Sequence, residues 1–181
     1  TGYLPVPGLH STLFLYYTDQ FQGGQVRDDV VSATDITATI LDFAGIDTPS
    51  FMTGKPIFKN DFDREYVFAA RDLWDEIDEK SRAITSGEWK YIRNDKPDTP
   101  FDAHQAYLEF YRPAVHVMRT LNEEGKLNDA QKFFFESTKP KEELYNLKDD
   151  PLEINNLVNK PEYQTVLEDL RAKTIGFEDD L

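Results

Sequence analysis

Arg71, Asp72, Asp75 and Arg82 form the densest alternation of opposite charges in the sequence, within YVFAARDLWDEIDEKSRAITS (66–86). Arginine presents a planar fork of donors that fits a sulfate or carboxylate in bidentate fashion, and aspartate accepts hydrogen bonds from sugar hydroxyls. The four together could therefore hold an anionic sugar. The competing use of the same residues is a solvated ion-pair cluster that braces a loop. Lys90 and Arg93 lie three positions apart on WKYIRN, so on a strand they point to opposite faces and form no single anion patch. His104 and His116 are twelve residues apart in a helical stretch, which is no metal-ligand spacing. Asp149 and Asp150 lack the glycine and the spaced oxygen ligands of a calcium loop and suit a turn or a cap. Trp74 and Trp89 could stack on a sugar ring or pack in a hairpin.

The elements that must position these residues are readable from pattern. YVFAAR (66–71), RAITS (82–86) and WKYIRN (89–94) read as strands, the last two joined by a Gly87-Glu88 turn. A helix is expected over Asp102–Glu124, broken or kinked at Pro113 and stopped by Gly125. Asn128 can cap a short helix over 129–136. EELYNL (142–147) reads as a last strand. Asp150, Pro151 and Glu153 then fit N-cap, N1 and N3 of a further helix. Residues 161–177 place Tyr163, Val166, Leu167 and Leu170 on one helical face. Earlier in the chain, TLFLYY (12–17) has the composition of a strand buried on both faces. QFQGGQ (20–25) is a turn. A helix follows from Val31 to Ala44, capped by Thr34 or Asp35 and ended by Gly45. The Pro-, Gly- and Asp-rich segment 47–65 is the best candidate for a domain boundary.

The 181 residues carry 20 Lys and Arg against 34 Asp and Glu, a net charge of −14. Such a surface repels nucleic acid and anionic lipid, so neither is expected as a partner. An anionic substrate would need a local cluster of cations working against the overall field. No apolar run approaches the roughly 20 residues of a membrane span. The first residues lack the features of a signal peptide. With no cysteine, disulfides, thiolate metal sites and a cysteine nucleophile are excluded within these residues.

Four segments, in order, resemble the sulfatase family. ELYNLKDDPLEINNL (143–157) is similar to its closing signature, E-L-Y-D-L-x-x-D-P-x-E-x-x-N-L. VVSATDITATILDFAGI (30–46) is similar to L-V-S-x-x-D-L-x-x-T-L-L-D-L-A-G-I. Residues 66–94 resemble the bacterial segment with R-D, D-E, a following Arg and K-Y-I-R-N. Residues 117–145 resemble the run that precedes the signature. The resemblance covers nearly the whole chain and is nearest to the branch that includes N-sulfoglucosamine sulfohydrolases. It departs at HSTLFLYY (10–17), where the family often has V-P-L-I-V, and at Ala38, where it usually has proline.

The resemblance implies an α/β protein. Residues 1–58 would be the last strand and helix of an alkaline-phosphatase-like α/β domain. Residues 59–181 would be an α+β C-terminal subdomain, a small antiparallel sheet with packed helices. It implies hydrolysis of a sulfuric ester or sulfamate, on a sulfated sugar, by a parent enzyme exported to the periplasm or beyond. In that family a formylglycine made from C/S-x-P-S-R attacks with the help of a divalent cation, usually calcium. Neither the motif nor the early Asp-Asp metal ligands occur in this sequence. This chain is therefore expected to bind no cofactor, to be inactive alone, and to partner the remainder of the catalytic domain and a sulfated carbohydrate. Arg71, Asp72, Asp75 and Arg82 become candidate substrate-binding residues. His10 joins them because the family's corresponding strand ends near the cleft. Two alternatives stay open: a non-catalytic acidic module that binds carbohydrate or a partner, and a phosphoester hydrolase relative.

Overall fold

A computed structural model describes residues 11–16 and 23–179. Their contacts divide into two compact units.

The first unit takes residues 12–67 with 85–88. Its helix, α1 (Ala33–Phe43), begins at a capping box. Ser32 accepts from the Asp35 end of the first turn, and the Asp35 carboxylate accepts the Ser32 N–H at 2.8 Å. Ser32 is thus the cap rather than Thr34 or Asp35, because a β-region backbone before the first turn lets its short hydroxyl reach back. The helix ends as expected at Gly45, whose φ of +69° allows Ile46 N–H to reach Leu41 O at 2.9 Å and Gly45 N–H to reach Asp42 O at 3.0 Å. That pair of bonds is a Schellman stop. Asp35, fully buried, also accepts Lys55 N–H at 2.8 Å and a bidentate Arg64 at 2.7 and 2.6 Å. The loop carrying Lys55 therefore lies on α1. A side chain at Gly54 would overlap the Thr34 carbonyl, so only glycine permits that approach.

The expected strand over 12–17 is not formed: residues 12–16 have no regular structure and are exposed, and Tyr17 lies outside the described residues. An isolated strand has no ladder to satisfy its backbone groups, and no described strand pairs with it.

The second unit takes residues 68–84 and 89 onward. It is built on a four-stranded antiparallel sheet in the order β1 (Val67–Trp74), β2 (Ile77–Thr85), β3 (Trp89–Asn94), β4 (Glu142–Asn146). The first two strands are longer than the apolar runs alone suggested, because their charged residues are paired and can remain in the ladder. β3 and β4 pair with Tyr91 opposite Leu144 and Ile92 opposite Glu143. The outer edge of β4 is covered by residues 156–157: Asn156 Oδ1 accepts Leu144 N–H at 3.0 Å, and Leu157 N–H donates to Leu144 O at 2.8 Å. This removes an unpaired edge.

One face of the sheet packs on α5 (Gln164–Asp179), whose Leu167, Leu170 and Thr174 are buried with Tyr91 and Leu144. Phe68 stacks on Phe177 at 4.0 Å, and Trp89 meets Tyr163 at 5.4 Å. The other face centres on Ala83, Ile92 and Tyr145. Between β3 and β4 run α2 (Ala106–Tyr111), α3 (Pro113–Glu123) and α4 (Asp129–Lys132), followed by a 3₁₀ turn at Phe133–Phe135. The single helix expected over Asp102–Glu124 is two helices. Pro113 starts α3 at N1, and Arg112 between them leaves helical geometry, as steric exclusion before proline requires. Gly125, at φ +67°, closes α3 with a second Schellman pair, Lys126 N–H to Leu121 O and Gly125 N–H to Asn122 O.

The helix expected to start at Asp150 does not form. Residues 147–149 and 151–152 are turns, and Asp150 Oδ2 accepts Ile154 N–H at 2.9 Å and Asn155 N–H at 2.7 Å. Glu153 adopts φ +54° and is buried. The D-P-x-E spacing serves a turn because Glu153 is drawn inward to Lys90, at 3.0 Å.

Candidate functional site

The β1–β2 hairpin carries the candidate residues, and strand alternation separates them. Arg71 points to one face with Glu79, to which it is ion-paired; Glu79 also pairs with Lys139. The chain of contacts continues within that face. Ser81 Oγ donates to Asn94 Oδ1 at 2.9 Å, Asn94 Nδ2 to Glu143 Oε1 at 2.7 Å, and Tyr145 OH to Glu143 Oε2 at 2.6 Å. Lys90 and Glu153 form a further pair beside it, each side chain about 1% exposed. Burial pushes the Glu143 carboxyl up from its ordinary value and pushes Lys90 and Lys139 down, each against the pull of its hydrogen-bonded partners. Lys139 also sits over the Phe101 ring at 5.3 Å, and Arg71 over Trp74 at 5.4 Å.

Asp72 and Arg82 are brought together on the opposite face. Arg82 Nη1 donates to Asp72 Oδ1 at 2.6 Å, while its Nε donates to Glu178 Oε1 at 2.9 Å. The Asp72 hydrogen bond is the main reason the guanidinium is held above its ordinary value. Arg93 Nη2 reaches the other oxygen of Glu178 at 2.7 Å and pairs with Asp95. Arg82 is largely buried, at 13% exposure, whereas Asp72 is 63% exposed. Asp72 is thus a braced acceptor facing solvent.

Asp75 sits at the hairpin turn with φ +50°. It accepts from Gln105 Nε2, and the neighbouring Glu76 accepts Ala106 N–H at 2.5 Å. These two bonds tie the hairpin tip to the start of α2. Gln105 Oε1 is buried and accepts no hydrogen bond. The candidates therefore sit in three settings: Arg71 in the buried network, Asp72 with Arg82 on the α5 face, and Asp75 at the tip. His10 lies outside the described residues.

Lys90 and Arg93 do point to opposite faces. His104 and His116, far apart in sequence, converge on Glu109. His104 Nδ1 lies 3.1 Å from Glu109 Oε1, and His116 Nε2 donates to Glu109 O at 2.8 Å. The helix break at Arg112 brings them there. Arg119 clamps both Asp102 and Glu109, and its hydrogen bond is the main cause of a Glu109 carboxyl lowered to about 2. Among the described residues no three acidic or histidine side chains converge as metal ligands. Sequence reasoning missed Glu79, Lys139, Gln105 and Glu143. The available signal was a lysine, Lys90, alternating with apolar residues on a strand.

No family model matches the sequence. An ulvan-active sulfatase of Formosa agariphila is 33% identical over 169 residues, covering 92% of this chain and 28% of that protein. An N-acetylglucosamine-6-O-sulfatase of Bacteroides thetaiotaomicron is 24% identical over 155 residues, covering 83% of this chain and 22% of its own length. The solved structure of a 2-O GAG sulfatase superposes with a TM-score of 0.51 at 21% identity, over 79% of this chain and 23% of that one. It shares the fold. The chain thus spans about a quarter of these relatives. Across nearly its whole length it is a relative of the sulfatases, over an extent consistent with a C-terminal portion.

Proposed function

We propose that this chain is the C-terminal portion of a sulfatase-type hydrolase acting on a sulfated sugar, and that it shapes the substrate cleft without supplying the nucleophile or the metal ligands. The observation that carries the reading is the 33% identity over 92% of the chain to barely more than a quarter of a sulfatase. A feature of the first unit agrees with it. Phe14, Tyr16, Val26 and Phe51 are each more than four-fifths exposed, and a neighbouring layer of the catalytic domain would cover them. Asp72 is the residue best placed to touch substrate, as an exposed carboxylate whose orientation Arg82 fixes. Asp75, Arg71, Arg82 and His10 complete the candidate set. In the same reading the parent enzyme is exported, and an N-sulfated or O-sulfated glycan is its substrate. No helix among the described residues is long and apolar enough to cross a membrane.

The test has two arms. The purified chain alone is expected to release no sulfate from sulfated disaccharides, with or without calcium. Calcium-dependent release would overturn the division of labour. In the parent enzyme, Asp72→Ala is expected to lower kcat/KM about tenfold, the cost of one charge-assisted hydrogen bond, with Tm unchanged. An unchanged kcat/KM with a lowered Tm would make Asp72 a brace for Arg82 only.

A further inference from the structure

α5 ends with a carboxylate where a helix favours a cation. Glu178 is the penultimate residue of Gln164–Asp179, and the last turn holds no basic side chain. The negative end of the helix dipole and the adjoining Asp179 both disfavour a second negative charge there. A side chain kept against its local setting has its reason in the wider structure, and such conflicts collect at working sites.

Its partners supply that reason. Glu178 joins two guanidiniums from different strands of the face that α5 covers. Its Oε1 accepts from Arg82 Nε of β2 at 2.9 Å, and its Oε2 accepts from Arg93 Nη2 of β3 at 2.7 Å. Arg93 is held on its far side by Asp95, at 2.8 and 3.1 Å. Glu178 therefore cannot turn without giving up one arginine.

The same contact sets Arg82. A guanidinium is a rigid plane. With Nε on Glu178, and Nη1 also donating to Ser81 O at 3.0 Å, the direction in which Nη1 meets Asp72 Oδ1 is fixed. Only one oxygen of Asp72 is used in this way. Its Oδ2 accepts no hydrogen bond among the described residues, and the side chain is 63% exposed. Asp95, Arg93, Glu178, Arg82 and Asp72 thus form a chain of alternating charge that runs from three strands and a helix end to one open acceptor.

Arginine and carboxylate otherwise favour a two-bond, fork-to-fork pair. Such a pair would occupy both oxygens of Asp72. By holding Nε and the plane of the guanidinium, Glu178 keeps Arg82 to a single bond. We propose that Glu178 is a positioning residue, which acts through Arg82 to keep Asp72 Oδ2 free and aimed at substrate. The inference rests on the reading of Asp72 as a substrate contact.

Sulfate release from a sulfated disaccharide by the parent enzyme, with kcat and KM resolved, tests this in Asp72→Ala, Glu178→Gln and the double variant. Glu178→Gln is expected to raise KM about three- to tenfold with kcat kept. In the Asp72→Ala background the same substitution is expected to change nothing further, because its effect passes through Asp72. Tm is expected to hold, since the loss of a partly exposed ion pair is offset by relief at the helix end. An equal loss from Glu178→Gln in both backgrounds overturns the proposal and makes the residue a brace for the fold. An unchanged KM in Glu178→Gln, beside an impaired Asp72→Ala, overturns it and leaves the cleft reading standing. An unchanged kcat/KM in Asp72→Ala overturns both.

Discussion

Lys90 and Glu153 show what a residue can hide from a local reading. Glu153 stands at the spacing of a helix N3, and D-P-x-E has every mark of a helix start. Its partner is 63 residues away, and no neighbouring letter signals it. The chain passes through φ +54° at Glu153 to drop that carboxylate onto a lysine that β3 cannot expose. Removing one member leaves the other as an uncompensated buried charge, so Glu153→Ala is expected to cost about 3–5 kcal/mol. Removing both charges, in Lys90→Met with Glu153→Ala, is expected to recover a large part of that loss. Urea unfolding of the parent, the single variant and the double variant reads the difference. A double variant no more stable than the single would mean that the pair is not what holds the turn. The hairpin candidates follow similar logic. The sequence shows Arg71 and Asp72 as neighbours, but the period of two along a strand sends them to opposite faces, and Arg71 goes to Glu79. The types of the candidate residues were legible. Their partners depended on which strands and loops meet, which a single sequence does not display.

At the scale of elements, legibility followed the range of the forces. The hairpin β2–β3, the last strand, the stop at Gly45 and the break at Pro113 rest on backbone rules that act within a few residues, and all are formed. The strand expected at 12–17 rests on neighbours that a period-two or apolar pattern cannot guarantee. Two substitutions measure the local rules separately. Gly125 holds φ +67° with nothing within 4 Å of an added Cβ, so Gly125→Ala is a test of backbone conformation alone. It is expected to destabilise by about 1 kcal/mol. Gly176 lies inside α5, exposed and likewise open around its Cα. There the balance reverses, because the unfolded chain loses more freedom to alanine than the helix does. Gly176→Ala is expected to stabilise by about 0.5–1 kcal/mol. Thermal unfolding of both variants should therefore shift in opposite directions. A loss at Gly176 would mean that its surface is covered.

For the whole molecule, the large excess of acid sets the response to pH, and the sheet face opposite α5 is where that response departs from the ordinary. Glu142, Asp95 and Glu109 have carboxyls lowered by Arg171, by Arg93 against burial, and by Arg119 respectively. A lowered folded pKa contributes stability above the unfolded value, lost as pH falls through the folded one. Stability is therefore expected to fall from about pH 4.5 downward, towards the value of about 2 to which Glu109 is lowered. Glu143 has the opposite sign. Burial raises it, so its contribution is full below the unfolded value and is lost as pH rises through the folded one. Glutamine at that position can still accept from Asn94 and face Tyr145, while removing the buried charge. Glu143→Gln is accordingly expected to be at least as stable as the parent above neutrality and to lose that advantage towards pH 4. Denaturant midpoints measured from pH 4 to pH 8 give the slope. A variant that is uniformly less stable across the range would mean that the Glu143 charge is needed by Lys90 and by the network around it, and that the sheet face is held by ion pairing rather than burdened by burial.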